Sequence, residues 1–135
     1  MIIYTDGSCL KNPDGPGGWA ALILDKEYEW EIVGNDPSTT NNKMELQAVI
    51  EALKFVVDYD ITIYSDSTYV IKGITEWIDN WIRKDWKKVK NVELWKELYD
   101  LVKDRDVKWE WVKAHANNEY NNRVDILARN CAKEI

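Results

Sequence analysis

MIIYTDGSCLKNPDGPGG, residues 1–18, sets an apolar, strand-like run against a turn-rich tail, with Asp6 at the junction. Ile2, Ile3, Tyr4 and Thr5 suit a pleated, half-buried backbone, whereas Gly7, Asn12-Pro13 and the glycines up to Gly18 punctuate it. Residues 1–5 are therefore expected to form a strand that stops just before Asp6. A carboxylate beyond a strand end either caps the next turn or serves as a ligand for a cation. Residues 61–68, ITIYSDST, repeat the pattern, with Asp66 after a second β-rich run. As parallel neighbours, the two strands would bring both acids to one sheet edge, the carboxyl edge at which open α/β sheets bind ligands.

Working outward, GWAALIL (18–24) and YEWEIVG (28–34) read as two more strands, joined across DKE as a hairpin. PSTTNN supplies turn and N-cap chemistry ahead of a helix running to about Val57, whose stripe is Val49, Ala52, Leu53 and Val56. A short helix is expected from Ser67 to about Gly73, and a further helix carries Trp77, Trp81 and the basic run that follows. VELWKELYDLV (92–102) is amphipathic through Leu94, Leu98, Leu101 and Val102. VKWEWV (107–112) alternates as a strand, and a last helix from about Glu119 turns Val124, Leu127, Ala128 and Cys131 inward. The order implies an α/β protein with a five-stranded mixed sheet and helices on both faces. Trp77, Trp86, Trp95, Trp109 and Trp111 are assigned to core packing.

At 135 residues the chain has the length of one domain, expected to span 1–135 without a repeat or linker. Its 45% hydrophobic and 31% charged residues argue against disorder, and the longest apolar run, WAALIL at 19–24, is too short to span a bilayer. No signal peptide is visible, so a cytoplasmic setting is expected. Cys9 and Cys131 have no second thiol or histidine at metal-ligand spacing, which leaves no readable zinc site. The net charge of −6 disfavours a nucleic-acid partner, yet RKDWKKVK gathers Arg83, Lys84, Lys87, Lys88 and Lys90 against Asp85 alone. On charge alone that run is either a solvated helix face or a segregated patch.

Two further acids stand where burial ought to forbid them. Glu45 lies one turn before Val49 and extends the buried stripe of its helix; Asp125 flanks the apolar side of the last helix. Each acid has an innocent reading: Asp6 as a turn cap, Asp66 as a helix cap, Asp125 as a complement to a helix dipole. Four carboxylates together repel unless cations hold them, and with no clustered sulfur or imidazole the ions would be Mg²⁺ or Mn²⁺. Two such ions roughly 4 Å apart would clamp the attacking and leaving oxygens of a phosphodiester. His115, the only histidine, follows VKWEWV in a loop without an apolar stripe, and reads either as a surface residue or as an auxiliary proton carrier beside the acids.

These words in this order resemble ribonuclease H type 1, the bacterial ribonuclease HI family. The matches are TDGSC with NPDGPGG, TTNNKMEL, YSDSTYV, KGITEWIDNWIRKDW with VKNVELW, and WVKAH with NNRVDILA, spanning nearly the whole chain. The resemblance implies a ribonuclease H-like fold, cleavage of the RNA strand of RNA·DNA hybrids, and two Mg²⁺ ions held by Asp6, Glu45, Asp66 and Asp125. It implies that Asp6 bridges the ions, that Asp125 serves the nucleophile side, and that Glu45 and Asp66 serve the leaving-group side. His115 would assist proton transfer or product release, and the products would carry a 3′-hydroxyl and a 5′-phosphate. Asn12, Asn41 and Asn42 match readers of RNA 2′-hydroxyls. Tyr69 and Trp81 match the lining of a DNA-strand channel, and Thr40 and Asn91 match a DNA phosphate pocket. The segment from Arg83 to Lys90 matches the basic protrusion.

The chain departs from the usual pattern at three places. The loop at Asp14 and Gly15 is one residue longer, the protrusion between Trp86 and Val89 is shorter, and Ala114 replaces the glycine before the histidine. A start directly in the first strand is expected to leave no room for an added hybrid-binding domain, and a monomer is expected. Two other readings stay open: a catalytically dead hybrid-binding module, which predicts loss of an acid that is not lost here, and a domain detached from a polymerase, which the retained basic run disfavours.

Overall fold

The computed structural model describes residues 1–114 and 116–134. Five strands, β1 (Ile2–Cys9), β2 (Gly15–Asp25), β3 (Tyr28–Thr39), β4 (Asp60–Ser65) and β5 (Asp106–Trp111), form one sheet in the order β3-β2-β1-β4-β5. The first three form an antiparallel meander, and β4 and β5 join in parallel with β1, so the sheet is mixed as expected. The helices are α1 (Asn41–Phe55), α2 (Thr68–Lys72), α3 (Ile78–Arg83), α4 (Val92–Val102) and α5 (Glu119–Lys133), with a π-helical segment at Gly73–Trp77 between α2 and α3.

Alternation along the strands divides the core in two. Ile3, Ala21, Ile23, Ile61 and Ile63 pack under α1 together with Val49, Leu53, Trp95 and Leu98. On the opposite face Tyr4, Ala20 and Leu22 meet Val124 and Ala128 of α5. Helices therefore cover both faces, because neighbouring residues of a strand point to opposite sides. Trp95 is the largest fully buried side chain, and a Cβ on Gly73 would overlap its ring, so only glycine lets the π-helical turn pass so close. Truncating Trp95 to alanine would cost about 3–5 kcal/mol.

Several expected boundaries move. β1 does not stop at Thr5: it runs on to Cys9, because β2 continues to pair with it through Asp6↔Ala20 and Cys9↔Gly17. Only its β4 side ends early, at Thr5↔Ser65. β3 likewise extends to Thr39, with Pro37 tolerated on an edge strand, so the first half of the expected PSTTNN turn is strand. Thr40 caps α1, its hydroxyl accepting from Lys43 N at 3.2 Å, and the helix ends at Phe55 rather than Val57.

The basic run is not helical. α3 ends at Arg83, and Asp85, Trp86, Lys88 and Asn91 all take positive φ in a series of turns that folds Trp86 back until its N–H donates to the Trp81 carbonyl. Two tryptophans assigned to the core are exposed instead. Trp77 sits at 39% exposure on the π-helical segment, leaning on Trp81, and Trp111 at 51% on the last residue of the edge strand β5, beyond the cover of the helices.

Candidate active site

The parallel register explains how the acids meet. Thr5↔Ser65 is the last pair between β1 and β4, so Asp6 and Asp66 are each the next residue along, at the same level on the carboxyl edge. Glu45 arrives from α1, whose first turns cross β1: the Gly7 N–H donates to Glu45 Oε1 in a very short hydrogen bond. A Cβ on Gly7 would overlap the Met44–Glu45 peptide, so the glycine after Asp6 is what lets helix and strand approach. Carboxylate oxygens of Asp6, Glu45 and Asp66 all lie within 4.8 Å of one another. Asp125, from α5, is close enough to Asp6 to add to its repulsion, and its Oδ2 pairs with Arg129 Nη2 at 3.0 Å.

Asp6 and Glu45 are both buried, at 4% and 9% exposure. Burial, followed by the charges of Asp66 and Asp125, pushes the Asp6 carboxyl up to about 8, against a hydrogen bond with Glu45 that pulls it down. Burial and the Asp6 charge hold Glu45 well above the usual carboxylate range. Without a cation, the pair therefore retains a proton at neutral pH. Among the described residues no lysine or arginine pairs with Asp6, Glu45 or Asp66. Buried, crowded, hard oxygen donors lacking such a partner fit a divalent cation of the Mg²⁺ or Mn²⁺ class.

A second group gathers beside this edge. Asn41 Oδ1 accepts from Cys9 N at 2.6 Å, and Asn41 N donates to Asn12 Oδ1 at 3.2 Å, so the β1–β2 loop and the start of α1 are locked together. Asn42 is exposed on the first turn of α1. The longer loop at Asp14 and Gly15 is held to this strand end by Asp14 N donating to the Thr39 carbonyl at 2.8 Å. Further along, a cleft of about 450 Å³ opens between the N-terminal ends of α1 and α4, with Thr39, Lys43, Gln47 and Asn91 among its lining residues. Asn91 Nδ2 and Trp95 Nε1 both donate to the Tyr69 hydroxyl, at 3.1 and 2.9 Å. Trp81 packs edge-on against Trp95 at 5.1 Å. Arg83, Lys84, Lys87 and Lys88 surround a shallow cleft at the tip of the turns, with Lys90 exposed nearby. His115 lies outside the described residues.

A sequence model of the RNase H family matches residues 1–133. The chain belongs to the ribonuclease H family. Ribonuclease H of Ehrlichia canis is 55% identical over 135 residues, covering 96% of this chain and 92% of the relative, and that of Hahella chejuensis is 49% identical over 138 residues, covering 98% and 93%. Among solved structures, LC9-RNase H1, described as a type 1 RNase H with the type 2 active-site motif, superposes with a TM-score of 0.87 at 30% identity, over 98% of this chain and 72% of that one. LC11-RNase H1, determined in complex with an RNA/DNA hybrid, shares the fold at a TM-score of 0.74 and 23% identity, over 98% and 96%. The chain is thus a ribonuclease H-family enzyme of the hydrolase and nuclease class, on an α/β ribonuclease H-like fold.

Three parts of this ribonuclease H-type site escaped the sequence reading. Gly7 had a signal in the word TDGS, but its role as the contact point for α1 needs the helix in place. Alternation assigns Trp111 to the core, yet its indole N–H donates to the Asp66 backbone carbonyl at 3.2 Å and tethers that acid to β5. Arg129 stands four residues after Asp125, a spacing that puts the two side chains on one helix face.

Proposed function

We propose that the protein is an endonuclease that hydrolyses the RNA strand of RNA·DNA hybrids and leaves 3′-hydroxyl and 5′-phosphate ends. The single observation that supports this most is the meeting of four acids from four elements, three of them within 4.8 Å, beside the interlocked Asn12–Asn41 loop. A buried acid cluster alone would suit many metal-dependent nucleases; the asparagines add a means of contacting RNA hydroxyls across a wide minor groove.

In this reading Asp6, Glu45, Asp66 and Asp125 would hold two Mg²⁺ ions. When bound, the ions supply positive charge to the attacking and departing oxygens of the phosphodiester. The chain's own groups do the rest. The Gly7 N–H orients Glu45, Trp111 steadies the Asp66 backbone, and the proton retained by the Asp6–Glu45 pair leaves as cations enter. Asn12, Asn41 and Asn42 contact the RNA strand, Tyr69 and Trp81 receive the DNA sugars, and Thr40 with Asn91 takes a DNA phosphate. Arg83, Lys84, Lys87, Lys88 and Lys90 extend the electrostatic contact along the duplex. His115, in the connection between β5 and α5, would carry a proton to or from the products. We further propose that 1–135 acts as a single catalytic domain and as a monomer in the cytoplasm; no helix among the described residues is long and apolar enough to cross a membrane.

The test is an end-labelled RNA·DNA hybrid incubated with and without Mg²⁺, beside RNA·RNA and DNA·DNA duplexes and an Asp6→Asn variant. Metal-dependent cutting of the hybrid's RNA strand only, abolished by the substitution, is the expected result. Tight hybrid binding without cutting would sink the enzymatic reading and leave a binding module.

A further inference from the structure

Of the four acids, Asp125 stands apart electrostatically. Asp6, Glu45 and Asp66 have no basic side chain against them among the described residues, whereas Asp125 Oδ2 lies 3.0 Å from Arg129 Nη2. Asp125 is also the acid that joins the cluster from the opposite layer, since α5 packs on the sheet face away from α1. Its side chain is 17% exposed, and that of Arg129 is 50% exposed. The guanidinium therefore approaches from solvent, on a long stem that can swing away, and engages an oxygen that a cation at the cluster would also seek.

We infer that Arg129 is a placeholder cation, which occupies Asp125 while the cluster is metal-free and competes with the divalent ion for that carboxylate. This rests on the metal-site reading above and deepens it. Two consequences follow from charge alone. Removing the guanidinium makes the site one unit more negative, so a divalent ion binds more tightly. Because the competition runs through Asp125, the gain disappears when Asp125 can no longer ionise. A purely positioning role for Arg129 predicts the opposite sign, since a loosened Asp125 would make a poorer ligand. A bystander surface pair predicts no change.

The experiment titrates the intact protein with Mn²⁺ in the absence of nucleic acid and follows free Mn²⁺ by electron paramagnetic resonance. Wild type is compared with Arg129→Gln, Arg129→Lys, Asp125→Asn, the Arg129→Gln/Asp125→Asn double variant, and Asp6→Asn. Arg129→Gln should bind Mn²⁺ roughly 2- to 5-fold more tightly at low salt, the range expected of a half-exposed ion pair, and the gain should shrink as salt is raised. Arg129→Lys should stay near wild type, and in the Asp125→Asn background the glutamine substitution should change nothing. Weaker or unchanged binding by Arg129→Gln, or a gain that survives in Asp125→Asn, overturns the inference. Mn²⁺ binding by wild type that Asp6→Asn leaves intact would overturn the metal-site reading itself, and is recognisable separately. Arg129 is far enough out in solvent that its substitution leaves the core untouched, and an unchanged thermal midpoint in EDTA checks this.

Discussion

Replacing Asp6 by asparagine should stabilise the metal-free protein, although it removes a proposed metal ligand. The magnitude follows from the carboxyl's two environments. In the unfolded chain Asp6 titrates near 3.8; in the fold, burial and the neighbouring acids push it up to about 8. Between those values the unfolded chain has released a proton that the fold retains, so raising the pH favours unfolding throughout the window and the penalty levels off above it. At somewhat over 1 kcal/mol per pH unit of mismatch, the penalty is about 2 kcal/mol at pH 5 and about 4 kcal/mol at pH 7. Asparagine cannot ionise and its amide oxygen still accepts from Glu45, so the variant escapes it. Urea denaturation in EDTA at pH 5 and pH 7 should show Asp6→Asn as the more stable protein, with the gap widening by about 2–3 kcal/mol between the two. Mg²⁺ should close the gap by stabilising wild type alone. A variant no more stable than wild type at pH 7 in EDTA, or a gap that does not widen with pH, would refute the reasoning.

Gly7→Ala should destabilise the fold by about 1–3 kcal/mol through overlap with the Met44–Glu45 peptide, and should weaken Mn²⁺ binding as Glu45 is displaced; calorimetry and metal titration read the two effects. Tyr69→Phe removes the acceptor shared by Asn91 and Trp95, leaving the buried indole N–H unpaired at a cost of about 1–3 kcal/mol, measurable as a lowered urea midpoint. Replacing Lys87 and Lys88 together with alanine should weaken hybrid binding and flatten the slope of log K against log salt by about 0.9 for each phosphate that is no longer neutralised. Fluorescence anisotropy at several salt concentrations checks this, and an unaltered slope would remove the lysines from the interface.

Much of this arrangement was legible because its causes are local. Asp6 and Asp66 each follow a β-rich run, and a parallel pairing of those runs suffices to bring them together, as the Thr5↔Ser65 register does. Glu45 was readable because a carboxylate on an apolar stripe has nowhere else to go. What escaped was set at a distance. β1 and β3 outrun their expected ends because partners continue to pair with them across the sheet, and a single strand's composition does not report its neighbour's length. The turns after Arg83 defeat the helical reading because Trp86 folds back onto Trp81, 6.2 Å between ring centroids, a contact that the local sequence does not report. Trp111 looked like core by alternation, but the alternation does not reveal that β5 is an edge strand.

The four acids come from β1, α1, the end of β4 and α5, so the set is complete only when α5 has docked on the sheet. A nascent polypeptide that has emerged only through α4 already carries the basic turns and the asparagine loop, yet lacks β5, Asp125 and the helix that covers one face of the sheet. A chain made only that far is expected not to cut, because the fourth proposed ligand and the helix that carries it are missing. Ribosome-bound chains stalled before and after residues 119–133, assayed for cutting of a labelled hybrid, should switch from inert to active across that interval, and activity in the shorter chains would contradict it.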